Sequence, residues 1–184
     1  MTPPERRSGK GAPKGKSSHS EGRNASSGRP RGPRPTRQGG VGSDARLAAA
    51  HLIRACLEQA KTLDAAEHDV ALLGLLGTGD RAAEGLSTSD RGFARGMALA
   101  SLRGLGLIDR RLAGHLDRPL TALDPAVLAL LRIGAAQMLL MGVAAHAAVS
   151  ATVGAAALDP DARRAGGLIN AILRRISEGG PIDP

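Results

Sequence analysis

Phe93 is the only aromatic residue in this chain of 184 residues; Tyr and Trp are absent. Any core must therefore be built from Leu, Ile, Val, Ala and Met, and such small side chains stabilise a fold only when they pack closely. Strands draw on aromatic and β-branched residues, whereas Ala and Leu are the strongest helix formers, so the composition favours helices over sheets. The length allows one domain of ordinary size with an extension, and no large multidomain enzyme. A single cysteine, Cys56, excludes an intramolecular disulfide framework and a Cys-rich zinc site, and implies a reducing, cytoplasmic setting.

Charge is divided sharply along the chain. Residues 1–42 hold ten basic side chains (Arg6, Arg7, Lys10, Lys14, Lys16, Arg23, Arg29, Arg31, Arg34 and Arg37) against two acids, Glu5 and Glu21, and so carry the whole net charge of +8. Residues 43–184 hold fifteen basic and fifteen acidic side chains. Nine Gly, six Pro and six Ser in the first 42 residues leave Val41 as the only Val, Ile, Leu or Phe there. With nothing to bury, that segment cannot offset its ordering entropy and reads as a disordered polycation. It lacks the apolar stretch of a secretory signal. Its functional reading is a nucleic-acid tether, because each Arg or Lys that pairs with a phosphate releases counterions without regard to sequence. A solubilising tail is the plain alternative, and an anionic membrane surface a third.

From Ser43 onward the pattern is helical. Ala49, Leu52, Ile53, Cys56, Leu57 and Ala60 recur at helix spacing, with Ser43 or Asp44 placed to cap the first turn. Arg46 and Arg54 read as the polar side of that helix, extending the basic surface of the tail or simply solvated. A second helix is expected from Ser89 or Asp90 through Phe93, Met97 and Leu102 to Gly104, and Leu105, Ile108, Leu112 and Leu116 mark a third. Asp124 followed by Pro125 is a cap and first-position pair opening a helix so apolar, through Leu140, that it belongs at the centre of a bundle. Further helices are expected over His146 to Ala157, stopped by Asp159 and Pro160, and over Arg163 to Ser177. Arg132, Gln137, His146 and the Gly142 break argue against a membrane span within 127–158.

Chemistry is sparse. Gly77-Thr78-Gly79-Asp80-Arg81-Ala82 matches a G-x-G-x-x-A phosphate-binding pattern, and the apolar run Val70 to Leu76 ahead of it could pass for a strand. No further parallel strands follow, so a loop between helices is the better reading. The five histidines (His19, His51, His68, His115 and His146) show no metal-ligand spacing. Cys56 lies on the apolar stripe and reads as core, and carboxylates such as Asp109 and Asp117 read as solvated helix faces. No catalytic constellation, metal or cofactor is expected.

Several blocks then carry a resemblance. Leu86-Ser87-Thr88-Ser89-Asp90-Arg91-Gly92-Phe93-Ala94, Leu102-Arg103, Leu131 to Gln137, His146-Ala147-Ala148-Val149 and Gly167 to Arg175, in that order, resemble the NusB-type helical RNA-binding family over roughly residues 44–178. That resemblance implies an all-α, NusB-like helical bundle over 43–178, preceded by the basic tail 1–42 and followed by a short end, 179–184. Two branches share the fold: transcription antitermination factors, and the N-terminal domain of RsmB-type rRNA cytosine-5 methyltransferases. The Asp90-Arg91-x-Phe93-Ala94 block, Leu116-Asp117-Arg118-Pro119-Leu120 and the Gly167 to Arg175 stretch are more similar to the second. One departure is visible, since the family often has proline just before His-Ala-Ala-Val, where Ala144 and Ala145 stand here. The catalytic domain of that family is not found within these residues, so methyl transfer by this chain alone is not expected.

The resemblance implies RNA binding, with packing roles for Gly134 and Ala135 and a backbone hydrogen bond at a helix junction for Asn170. Arg46, Arg54, Arg91, Arg174 and Arg175 are candidates for RNA phosphate contact, joined by Arg29, Arg31, Arg34 and Arg37 of the tail, with ion pairs as the alternative. The expected partner is rRNA or an antitermination RNA, and no membrane. A helical protein-interaction module, serving a methyltransferase domain or a transcription factor, is the competing reading.

Overall fold

Ala and Leu set the architecture, since every regular element among the described residues is a helix. The structure is a computed structural model that describes residues 42–72 and 86–179, with the backbone alone for 70–72. Seven α-helices lie within those residues: α1 (Ser43–Glu58), α2 (Leu63–Leu72), α3 (Thr88–Arg103), α4 (Leu105–Ala113), α5 (Pro125–Leu139), α6 (Ala145–Leu158) and α7 (Gly166–Glu178). Single 3-10 turns at Leu120–Ala122 and Arg163–Ala165 lead towards α5 and α7.

Local sequence explains most of the boundaries. The Ser87 hydroxyl accepts from Asp90 N at 3.0 Å and donates to Asp90 Oδ2 at 2.7 Å, so α3 begins two residues earlier than Asp90 alone suggests. Asp124 caps α5 by accepting from Ala126 N at 2.8 Å, with Pro125 in the first turn, as expected. Gly142, at φ 65°, turns the chain out of α5, and Val143 N closes the turn on Gln137 O at 2.9 Å. Asp159 stops α6 and its Oδ1 accepts from Asp161 N and Ala162 N at 2.8 and 3.1 Å, which shapes the corner into α7.

Several expectations need correction. Neither Ser43 nor Asp44 caps α1: Gly42 does, at φ 81°, and Ser43 is buried inside the first turn, its hydroxyl without a hydrogen-bond partner among the described residues. A side chain at position 42 would be strained by that φ and would also meet Arg46 Nη1 at 2.4 Å. Leu57, inside the first helix, is 41% exposed rather than on a buried stripe, and Ala60 lies beyond the helix end at Glu58, at φ 51°. Val70 to Leu72, the start of the strand-like run, close helix α2, which periodicity did not mark. The third predicted helix stops at Ala113, leaving Leu116 half-buried in the following turn. The rest of that run and the Gly77 to Ala82 pattern lie outside the described residues, as does the tail to residue 41.

The bundle is organised around α1 and α5. Helix α5 lies against α1, α3, α4, α6 and α7, and α1 lies against α2, α3, α5 and α6. Ten of the fifteen residues of α5 are buried, which is why it has no polar face. Leu130, Leu131 and Ile133 are fully buried, each contributing about 1.5–3 kcal/mol of hydrophobic stabilisation. Gly134 lets α7 approach: a Cβ there would stand 2.4 Å from Leu173 Cδ1. Among the described residues, no helix is long and apolar enough to cross a membrane.

Candidate nucleic-acid interface

The candidate arginines divide by environment. Arg46 is not on the polar side of α1, and the expectation of a surface contact there is corrected: it is 7% exposed. Its Nε donates to Gln137 Oε1 at 2.9 Å, its Nη1 donates to Gly42 O at 3.1 Å, and its guanidinium lies 4.9 Å from the centroid of the Phe93 ring. Gln137 is fully buried in turn, donating to Ile133 O at 3.1 Å and to Thr152 Oγ1 at 3.4 Å. Burial pushes the Arg46 guanidinium below its ordinary pKa, with Asp90 pulling the other way. The spacing held the signal, since Arg46, Ala49, Ala50 and Ile53 share one helical face.

Arg54 is half-buried and pairs with Glu58 one turn on at 3.2 Å, an ion pair of small worth. Arg91, Arg174 and Arg175 are exposed. Arg174 Nε donates to Asn170 Oδ1 at 3.3 Å, so Asn170 serves a neighbouring side chain on α7 rather than backbone at a junction. The tail arginines Arg29, Arg31, Arg34 and Arg37 lie outside the described residues. Exposed arginines that sequence reasoning passed over include Arg163 and Arg164, on the 3-10 turn before α7. The signal for them was their place beside the Asp159-Pro160 helix stop.

Other charged groups serve the fold. Arg132 donates through Nε and Nη2 to the two oxygens of Asp109, both at 2.8 Å, tying α5 to α4, so Asp109 is not merely a solvated face. Arg95 on α3 pairs with Asp64 at 2.7 Å and also with Glu67, holding α2. His51 Nε2 lies 3.7 Å from Asp159 Oδ2, and burial pushes its imidazole below the usual pKa. Cys56 sits at the margin of the core, half-buried, with its thiol pKa raised by burial. Among the described residues no three His, Cys, Asp or Glu are placed to hold a metal.

Fold and surface together define an all-helical domain whose exterior is studded with arginines. The chain belongs to the NusB family, whose model matches residues 43–178. It is similar to the ribosomal RNA small subunit methyltransferase B of Xanthomonas campestris, with 37% identity over 140 residues, covering 76% of this chain and 29% of that protein. The enzyme of the same name from Pseudomonas putida is 38% identical over 93 residues, 50% of this chain and 21% of that one. The chain thus spans between 21% and 29% of the length of the curated relatives it matches. Among solved structures, T. maritima NusB matches with a TM-score of 0.59 at 18% identity, over 78% of this chain and 95% of its own. A chain from the complex of antitermination factors NusB and NusE with double-stranded RNA matches with a TM-score of 0.59 at 16% identity, over 75% of this chain and 96% of its own.

Proposed function

We propose that this chain is an RNA-binding module that captures RNA through its cationic segment 1–42 and orients it on the neutral helical body. The observation that carries this reading is the confinement of the whole +8 charge to residues 1–42, ahead of a NusB-family domain. A polycation alone gives affinity without discrimination, and a neutral body with a few exposed arginines adds positioning. We favour an rRNA-modification setting over antitermination, because the relatives named rRNA methyltransferases are 37% and 38% identical, against 16% and 18% for the NusB-fold structures. In this reading the chain binds in the cytoplasm and leaves methyl transfer to a methyltransferase domain.

The test is RNA affinity against salt concentration for the full chain, for a chain lacking residues 1–42, and for one with Arg29, Arg31, Arg34 and Arg37 replaced by Gln. On a single strand, the log-log slope is expected to fall by about 0.7 for each phosphate that the variant no longer neutralises. An unchanged slope after truncation refutes the capture role of the tail. Calorimetric binding of S-adenosylmethionine by this chain would refute the purely binding role.

A further inference from the structure

Between α6 and α7 runs an open groove of about 470 Å³. The two helices are antiparallel along it. A Cβ on Gly166 would lie 3.8 Å from Val153 Cγ1, and Ala145 and Arg174 line the same groove at the other ends of their helices. Counting turns from that contact sets Asn170 level with Val149 and Ser150, and Arg174 level with Ala145 and His146. Glu178, also in the lining, falls one turn beyond the start of α6.

This register sorts the groove by chemistry. At one level the half-buried Val153 and the edge of Val149, which is 6% exposed, offer an apolar wall, bordered by the exposed Ser150 hydroxyl and by Asn170, whose carbonyl oxygen is engaged by Arg174 while its amide remains a donor. At the other level stands the exposed Arg174 guanidinium, fixed through Nε, with its terminal nitrogens unpartnered among the described residues. The exposed His146 and the positive end of α6, where Ala144 provides no side-chain cap, lie at that same level. An apolar slot beside a fixed cation is complementary to a base beside its phosphate.

A second feature bears on the same ligand. Proteins that read single-stranded RNA stack its bases on aromatic rings or on Arg guanidinium planes. The chain's one aromatic ring, Phe93, already has Arg46 over it at 4.9 Å. With that ring already engaged, base contacts fall to exposed His and Arg planes and to apolar slots; the groove sets His146 and Arg174 beside Val153 and has a volume in the range of small-ligand sites, enough for one nucleotide.

We propose that the α6–α7 groove takes one unpaired ribonucleotide of the bound RNA, its phosphate against Arg174 and its base against Val149 and Val153. Ser150 and Asn170 meet the ribose hydroxyls or the base edge. The inference rests on the RNA-binding reading above and assigns to the folded body a site selective for single strands.

The experiment compares the full chain with Arg174→Gln and Ser150→Leu, using labelled oligouridylate and an RNA hairpin stem as probes. Both positions are exposed, so both variants are expected to keep the helical circular dichroism of the parent. Each is expected to weaken oligouridylate binding about five- to tenfold and to change stem binding less than about twofold. Unchanged oligouridylate affinity in both variants, with the parent chain still binding RNA, overturns the groove and leaves the RNA-binding reading intact. Equal losses on both probes also overturn it, because Ser150→Leu removes no charge and a general electrostatic effect would not separate strand states. No RNA binding by the parent chain overturns both readings together.

Discussion

Arg46 Nε donates to Gln137 Oε1 at 2.9 Å, an interior hydrogen bond between helices whose residues are 91 positions apart. Each partner needs the other, because a buried guanidinium or amide left unpaired retains its full desolvation cost. Gln137→Leu and Arg46→Met are each expected to lower stability by about 2–3 kcal/mol. The double variant should lose less than the sum, since both partners then become apolar. Urea midpoints at constant m-value measure this, and strictly additive losses would show the bond to be dispensable.

That pair also marks where sequence reasoning reached its limit. Helix type and order were legible because local rules set them: the Asp124-Pro125 start, the Asp159-Pro160 stop and the apolar density of α5 all act within a few residues. The centrality of α5 followed from its lack of a polar face. Arg46 was misplaced because an arginine on an apolar stripe is buried only if a distant acceptor receives it, and Gln137 carries no mark of that role in the sequence. Helix α2 was missed for a related reason. Part of its hold comes from Arg95, more than two dozen residues downstream, bound to Asp64 and Glu67, beside packing on α1 that uses the buried Ala66 and the partly buried Leu63. The α6–α7 groove was invisible because it depends on the register of two helices.

Gly134 of α5 and Leu173 of α7 meet closely where their helices pack. A methyl group at position 134 would meet Leu173 Cδ1, Cδ2 and Cγ at 2.4, 2.9 and 3.2 Å, and Leu173 is fully buried. Gly134→Ala is therefore expected to destabilise by about 1–3 kcal/mol, despite the better helix propensity of alanine. Adding Leu173→Ala should recover part of that loss, since the added methyl fills space the leucine vacates. Chemical denaturation of the two singles and the double decides it, and a stabilised Gly134→Ala would mean that α7 can shift.

His51 gives the domain a pH dependence of definite sign. Burial lowers its pKa in the folded state, with the Asp159 carboxylate opposing and Arg54 adding to the shift. The unfolded chain therefore binds the proton first as pH falls below about 6.5. The stabilising contribution of the neutral imidazole is complete above that pH and is lost between it and the lowered folded value. The urea midpoint should decline from about pH 7.5 to about pH 5.5, and His51→Gln should remove that part of the decline. Identical profiles for parent and variant would show that His51 protonates equally well in both states.

The environments of the arginines predict which of them RNA can use. Arg175 is exposed on α7, whereas Arg46 has two hydrogen bonds and an aromatic ring as partners. Arg175→Gln should weaken RNA binding and lower the salt slope by about 0.7 if it meets one phosphate of a single strand. Arg46→Met, measured well below its unfolding temperature, should leave that slope unchanged, because a charge buried in the bundle releases no counterion on binding. Arg54→Gln should fall between them, as RNA must first compete with Glu58 for the guanidinium. A drop in slope for Arg46→Met equal to that for Arg175→Gln would mean that α1 opens when RNA binds and exposes the guanidinium, and Gln137→Leu would then raise RNA affinity by releasing it.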